Sequence, residues 1–237
     1  MDLGLKDKVA LVTAASRGLG RATVEALAAE GAQVVAVARD AARLAELENR
    51  YPGRCAALAG DLRDPDLPRR AVEFTIDRFG AIDILVSNTA GPASVMPFDA
   101  SVSDFAAAFE TTCYPAVRLI QAAAAPMCAQ GFGRILIVSS TSVKAPKPFL
   151  CLSAASRSAL WAWAKSAAPQ LMEAGVTINA LFAGPHETDR ARELRISNVV
   201  LGSPEDFGTF AASLCGTHTR FITGTGYILD GGELRGI

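Results

Sequence analysis

Seven short apolar runs punctuate the chain: Val9 to Thr13, Val34 to Ala38, Cys55 to Ala59, Ile84 to Ser87, Arg134 to Ser139, Thr177 to Leu181 and Tyr227 to Leu229. They are apolar throughout rather than alternating, which predicts parallel strands covered on both faces. Alanine-rich segments between them read as helices over 21–30, 41–50, 67–79, 102–129, 153–174 and 204–215. This alternation predicts a single α/β domain over 1–237, a Rossmann-type doubly wound parallel sheet of about seven strands with right-handed crossovers. Ligands are then expected beyond the carboxyl ends of the strands. No linker, repeat or low-complexity stretch divides the chain, and a short substrate loop is expected near 184–203. Pro115, Pro126 and Pro169 interrupt the long helical segments, and Pro169 should kink or break its helix near Lys165.

Charge and cysteine usage narrow the class. With 23 Lys and Arg against 24 Asp and Glu, the formal charge is −1, which gives no electrostatic case for nucleic acid or a membrane surface. No apolar stretch reaches the roughly 18 residues of a membrane span. The start, Met1 to Lys8, mixes charges ahead of the first apolar run, unlike a signal peptide. Cys55, Cys113, Cys128, Cys151 and Cys215 are odd in number and scattered, which suits reduced thiols in a cytoplasmic protein. No metal site is expected.

Chemistry concentrates at the strand ends. After the first run comes Thr13-Ala-Ala-Ser16-Arg17-Gly18-Leu19-Gly20. Gly18 and Gly20 let the backbone approach a pyrophosphate, and the helix that follows points its first N–H groups at it. Arg39 follows the second strand and Arg17 lies inside the turn. Two guanidinium groups near an adenosine ribose suit a 2′-phosphate and so NADP(H), although both could be solvated arginines, and Asp40 could pair with Arg39.

The glycine turn, Asn88-Thr-Ala-Gly91, Ser139-Ser140 and Asp230-Gly-Gly232 together resemble the short-chain dehydrogenase/reductase family over nearly the whole chain, the 3-oxoacyl-carrier-protein reductases in particular. The resemblance implies that Asp61 and Leu62 meet the adenine, that Asn88, Ala90 and Gly91 line the ribose and cleft floor, and that Gly184 and Thr188 approach the nicotinamide. It also implies a Tyr-x-x-x-Lys motif at 153–157, with the tyrosine as general acid/base. Here Ser153 and Arg157 stand in those positions. Ser140, thirteen residues before Ser153, matches the family's catalytic serine, and Thr112 falls where an asparagine completes the proton relay. An aliphatic hydroxyl is a far weaker acid than a phenol, and Arg is a poor proton carrier. The ordinary mechanism cannot run as written.

Lys144 and His186 are candidate replacement acids, each also readable as a bystander, and Cys151 is a weaker one. Tyr114 should point away from Thr112. Arg190, Arg192 and Arg195 either attract an anionic substrate or form a solvated face. Three functions fit: an NADP(H)-dependent reductase of a small, in some cases carrier-bound, carbonyl substrate; a non-redox lyase, isomerase or cyclase on the same fold; or a non-catalytic dinucleotide-binding protein. The resemblance further implies a homodimer or homotetramer.

Overall fold

The computed structural model describes residues 2–197 and 199–234. Seven strands form one parallel sheet: β1 (Val9–Thr13), β2 (Gln33–Ala38), β3 (Cys55–Ala59), β4 (Ile84–Ser87), β5 (Gly133–Ser140), β6 (Val176–Ala183) and β7 (Gly226–Leu229), in the order β3-β2-β1-β4-β5-β6-β7. The helices are α1 (Gly18–Ala29), α2 (Ala41–Arg50), α3 (Leu67–Phe79), α4 (Val102–Ala108), α5 (Tyr114–Gln130), α6 (Cys151–Glu173), α7 (Asp189–Glu193) and α8 (Pro204–Leu214).

Alternate residues of each strand serve opposite faces, as the two-residue period of a strand requires. Leu11, Val35, Val37, Leu85, Ile135, Ile137 and Ile178 pack with α3, α5 and α6. Ala10, Val12, Val34, Ala36, Ile84, Val86, Leu136 and Val138 pack with α1, α2 and α8. Both faces are therefore apolar, which is why the strands read as unbroken hydrophobic runs. The order reverses between β1 and β4, so a crevice opens at the carboxyl ends of those two strands. Among the described residues no helix is long and apolar enough to cross a membrane, and all five cysteines are free.

Two helical expectations need correction. The segment 102–129 is not one helix: a π-helical turn, Phe109–Cys113, separates α4 from α5. Pro115 explains the break, since it has no N–H for the carbonyl of Thr111 and its ring crowds that carbonyl. Conversely Pro169 does not break α6, which continues through it to Glu173. The carbonyl orphaned there belongs to Lys165, which is exposed, so water can satisfy it.

Candidate dinucleotide cleft and catalytic site

The glycine turn is built for close approach. Gly18 sits at φ +55, and a Cβ on Gly20 would lie 2.3 Å from the Ala14 carbonyl oxygen and 3.0 Å from Asn88 Nδ2. Only glycine fits there. Ala14 itself takes φ 49, a left-handed conformation that costs a residue with a Cβ about 1 kcal/mol. Arg17 is the N-cap of α1, offers no side-chain acceptor, and no acidic residue lies in the first turn. The leading N–H groups of α1 therefore lack an intrahelical or capping partner and face the crevice, as an anion-binding turn requires. Thr13 ties the turn to the next strand end: its hydroxyl donates to the Asn88 carbonyl at 2.7 Å and accepts from the Asn88 N–H at 3.0 Å. These features fit a dinucleotide pyrophosphate.

The adenosine side departs from expectation in one respect. Asp40 does not pair with Arg39; it caps α2 and pairs with Arg43 at 3.5 Å. Arg39 is exposed. Arg43, which no motif marks, also reaches Asp189, at 3.8 Å. Arg17 reaches the same carboxylate at 3.2 Å and Glu193 at 3.7 Å. Asp61 accepts from Arg63, whose guanidinium holds that carboxyl below the usual range.

At the floor, Arg157 is buried and its guanidinium is almost spent on protein. Nε donates to Ser153 Oγ at 3.3 Å, Nη1 to the Val138 carbonyl at 2.9 Å and Nη2 to the Thr89 carbonyl at 3.3 Å. Three of its five N–H groups are used, by the end of β5, the loop after β4 and the residue one turn back on α6. Among the described residues no carboxylate pairs with it. Burial first, and the nearby Arg190 cation second, push it down to about 10.

Ser140 ends β5 and accepts at Oγ from the Ser142 N–H at 3.1 Å and the Ser142 hydroxyl at 3.0 Å. Its own proton is not engaged by either bond. Ser153, on α6, accepts from Arg157 and is likewise left with a proton to donate. Thr112 is fully buried in the π-helical turn and donates to the Ala90 carbonyl at 3.4 Å. That bond ties the turn to the cleft floor, and the turn carries no signature in the hydrophobic pattern.

The other candidates separate. Lys144 is exposed, its ammonium 5.5 Å from the centroid of Phe182. His186 is packed into the 184–196 strap: Nδ1 lies 3.0 Å from the Gly184 carbonyl, the ring meets Phe207 edge-on, and a Cβ on Gly202 would come 2.9 Å from it. Cys151 Sγ bonds the Val95 carbonyl. Tyr114 is half-exposed against Phe109. The strap holds more structure than expected, the five-residue α7 capped by Thr188, while residue 198 of the expected 184–203 loop lies outside the described residues. Arg190 bonds the Pro92 carbonyl at 2.9 Å, and Thr188 Cγ2 lies 3.2 Å from the ideal Cβ position of Gly18. The strap thus spans the crevice from the glycine turn to the loop after β4.

Comparison with known proteins matches this architecture. The sequence pattern of the family described as short chain dehydrogenase matches residues 8–198. A 3-oxoacyl-[acyl-carrier-protein] reductase from Synechocystis is 28% identical, over 96% of this chain and 97% of the relative. Dehydrogenase/reductase SDR family member 4 from Bos taurus is 30% identical, over 97% and 88%. The crystal structure of L-sorbose reductase from Gluconobacter frateurii, complexed with NADPH and L-sorbose, superposes with TM-score 0.92 at 28% identity, covering all of both chains. With the sheet order, the glycine turn and the family pattern coinciding over most of its length, this chain belongs to the short-chain dehydrogenase family.

Proposed function

We propose that the protein is an NADP(H)-dependent oxidoreductase acting at the carbonyl or hydroxyl carbon of a small organic substrate, with its carbonyl oxygen held by hydroxyls rather than by a phenol. The observation that carries this reading is the retained binding half: the fitted glycine turn, the uncapped α1 N-terminus, and a buried cation still standing where the family places its lysine.

When bound, NADP(H) supplies or receives the hydride. Gly18, Leu19, Gly20 and the α1 N–H groups hold the pyrophosphate, with Thr13 and Ser16 shaping the turn. Asp61 and Leu62 border the adenine. Asn88, Ala90 and Gly91 line the ribose wall, Arg157 offers its two remaining N–H groups to the nicotinamide ribose, and Gly184 and Thr188 border the nicotinamide.

Ser140 and Ser153 each accept hydrogen bonds from the protein and keep a proton to donate, so together they orient the oxygen of a substrate carbonyl. Arg157, behind Ser153, stabilises negative charge as it develops on that oxygen. A hydroxyl that gives up its proton must regain one, so the proton comes in the end from solvent, relayed through Ser140 or Ser153, and the base it leaves is hydroxide or buffer in bulk water. The similar proteins include an L-sorbose reductase and a 3-oxoacyl-[acyl-carrier-protein] reductase, which supports a polar carbonyl substrate.

The double substitution Ser153→Tyr with Arg157→Lys tests the reading. In a variant that folds and binds NADPH, reduction of simple ketones should rise at least about tenfold, since a positioned general acid is worth roughly 10²–10⁴. The rebuilding of both positions also favours a second reading, a non-redox enzyme on this scaffold. That reading gains if the variant binds NADPH normally yet reduces no ketone in a broad panel.

A further inference from the structure

Three arginines from separate parts of the chain converge on one carboxylate. Asp189, at the start of α7, receives Arg17 of the glycine turn at 3.2 Å, Arg192 at 2.8 Å and Arg43 of α2 at 3.8 Å. Glu193, one turn on, receives Arg17 at 3.7 Å and Arg190 at 3.4 Å. The surrounding guanidinium groups hold the Asp189 carboxyl below its ordinary range, the hydrogen bond from Arg17 contributing most.

Two of these arginines, Arg17 and Arg43, flank the crevice where β1 and β2 end, the place for an adenosine ribose in a doubly wound fold. The other participants ride on the strap. The pairs Arg17–Asp189, Arg17–Glu193 and Arg43–Asp189 therefore tie the strap across the crevice, and the contact of Thr188 with Gly18 and the bond from Arg190 to Pro92 complete the closure.

Resting on the NADP(H) reading above, we propose that Asp189 is a latch. Its carboxylate holds the arginines that would receive a ribose 2′-phosphate, and a dinucleotide enters only by displacing it. A phosphate monoester carries about −1.5 to −2 charges near neutral pH against one on the carboxylate. NADPH thus replaces the arginine contacts that it breaks. NADH has nothing to offer Arg17 and Arg43, so it must open the strap uncompensated, and discrimination arises from a built-in obstacle as well as from attraction. Arg43 becomes a determinant of cofactor choice beside Arg17.

The sign of two effects tests this. NADPH and NADH are titrated into the full-length protein by calorimetry, with deuterium exchange read over residues 189–196. Asp189→Asn, an exposed change, should tighten both dinucleotides about three- to tenfold, the range for releasing one to three partly exposed ion pairs. It should also speed exchange in α7 without any cofactor. Arg17→Ala should split the pair: NADH tightens because two of the three pairs across the crevice are gone, and NADPH weakens because a phosphate partner is gone. Glu73→Gln, on the outer face of α3, should change neither and controls for net charge. Unchanged affinities and exchange in Asp189→Asn would overturn the latch, as would Arg17→Ala weakening both dinucleotides alike. If the wild-type protein binds neither, the cofactor reading fails as well, whereas wild-type binding with an inert Asp189→Asn removes the latch alone.

Discussion

A guanidinium buried without a counter-charge destabilises the fold that contains it, and Arg157 is such a group. Its folded value, about 10, lies below the ordinary 12.5, so between those values the unfolded chain binds more protons than the native one. Stability should therefore rise with pH through that window, and the charge costs about 3 kcal/mol at neutrality. Against this stand three hydrogen bonds, each worth about 1 kcal/mol net. Arg157→Met should consequently leave the melting temperature within about 5 °C of wild type, or raise it. The same change should weaken NADPH binding by about 1–3 kcal/mol, the range for lost charge-assisted bonds. A scanning melt and a titration on one sample decide it; a large loss of stability with intact binding would make the guanidinium a structural strut. The 153/157 pair was legible in the sequence because the surrounding motifs resemble the family's and so mark its Tyr-x-x-x-Lys positions. Its partners were not, since carbonyls of Val138 and Thr89 carry no residue identity. Arg43 was missed for a related reason: Asp40 looked like a partner for its neighbour, but as an N-cap it engages the first turn of α2 instead.

Among the elements, the long helices show how one residue type gives opposite outcomes. Pro115 falls beside the buried Thr112, and the chain accommodates its ring by widening into a π turn that aims Thr112 at the Ala90 carbonyl. Pro169 falls where the preceding turn faces solvent, and α6 continues. Proline content was visible in the sequence; the burial that decides its effect was not. Pro169 still forfeits one helical hydrogen bond and has poor intrinsic propensity, by about 3 kcal/mol relative to alanine in a helix interior. It also lines a surface cavity with Ala168, Met172 and Gly224, so truncation loses some packing. Pro169→Ala should then stabilise the protein by about 1 kcal/mol or more in urea unfolding at unchanged m-value. A loss of stability would mean that the ring's packing outweighs the recovered backbone bond.

For the molecule as a whole, strand positions and the doubly wound order were legible because burial on both faces writes itself into unbroken apolar runs. The closure of the crevice was not, because Arg17 and Asp189 are 172 positions apart and an exposed ion pair has no period. The surface carries a further feature that the pattern could not place. Met96, Phe98 and Val102 are exposed together ahead of and at the start of α4, while Phe221 and Ile228 are exposed beside and on β7, an edge strand. Large apolar side chains left in water at two separate sites favour self-association, and the smallest closed point-group assembly that uses two kinds of interface is a tetramer built from dimers. Light scattering at micromolar concentration should therefore give a mass of two or four 24.7 kDa chains. Phe98→Asp and Phe221→Asp should each remove one interface, and the double variant should be a folded monomer with unchanged circular dichroism. A wild-type monomer across that concentration range would show that these side chains serve no interface between copies.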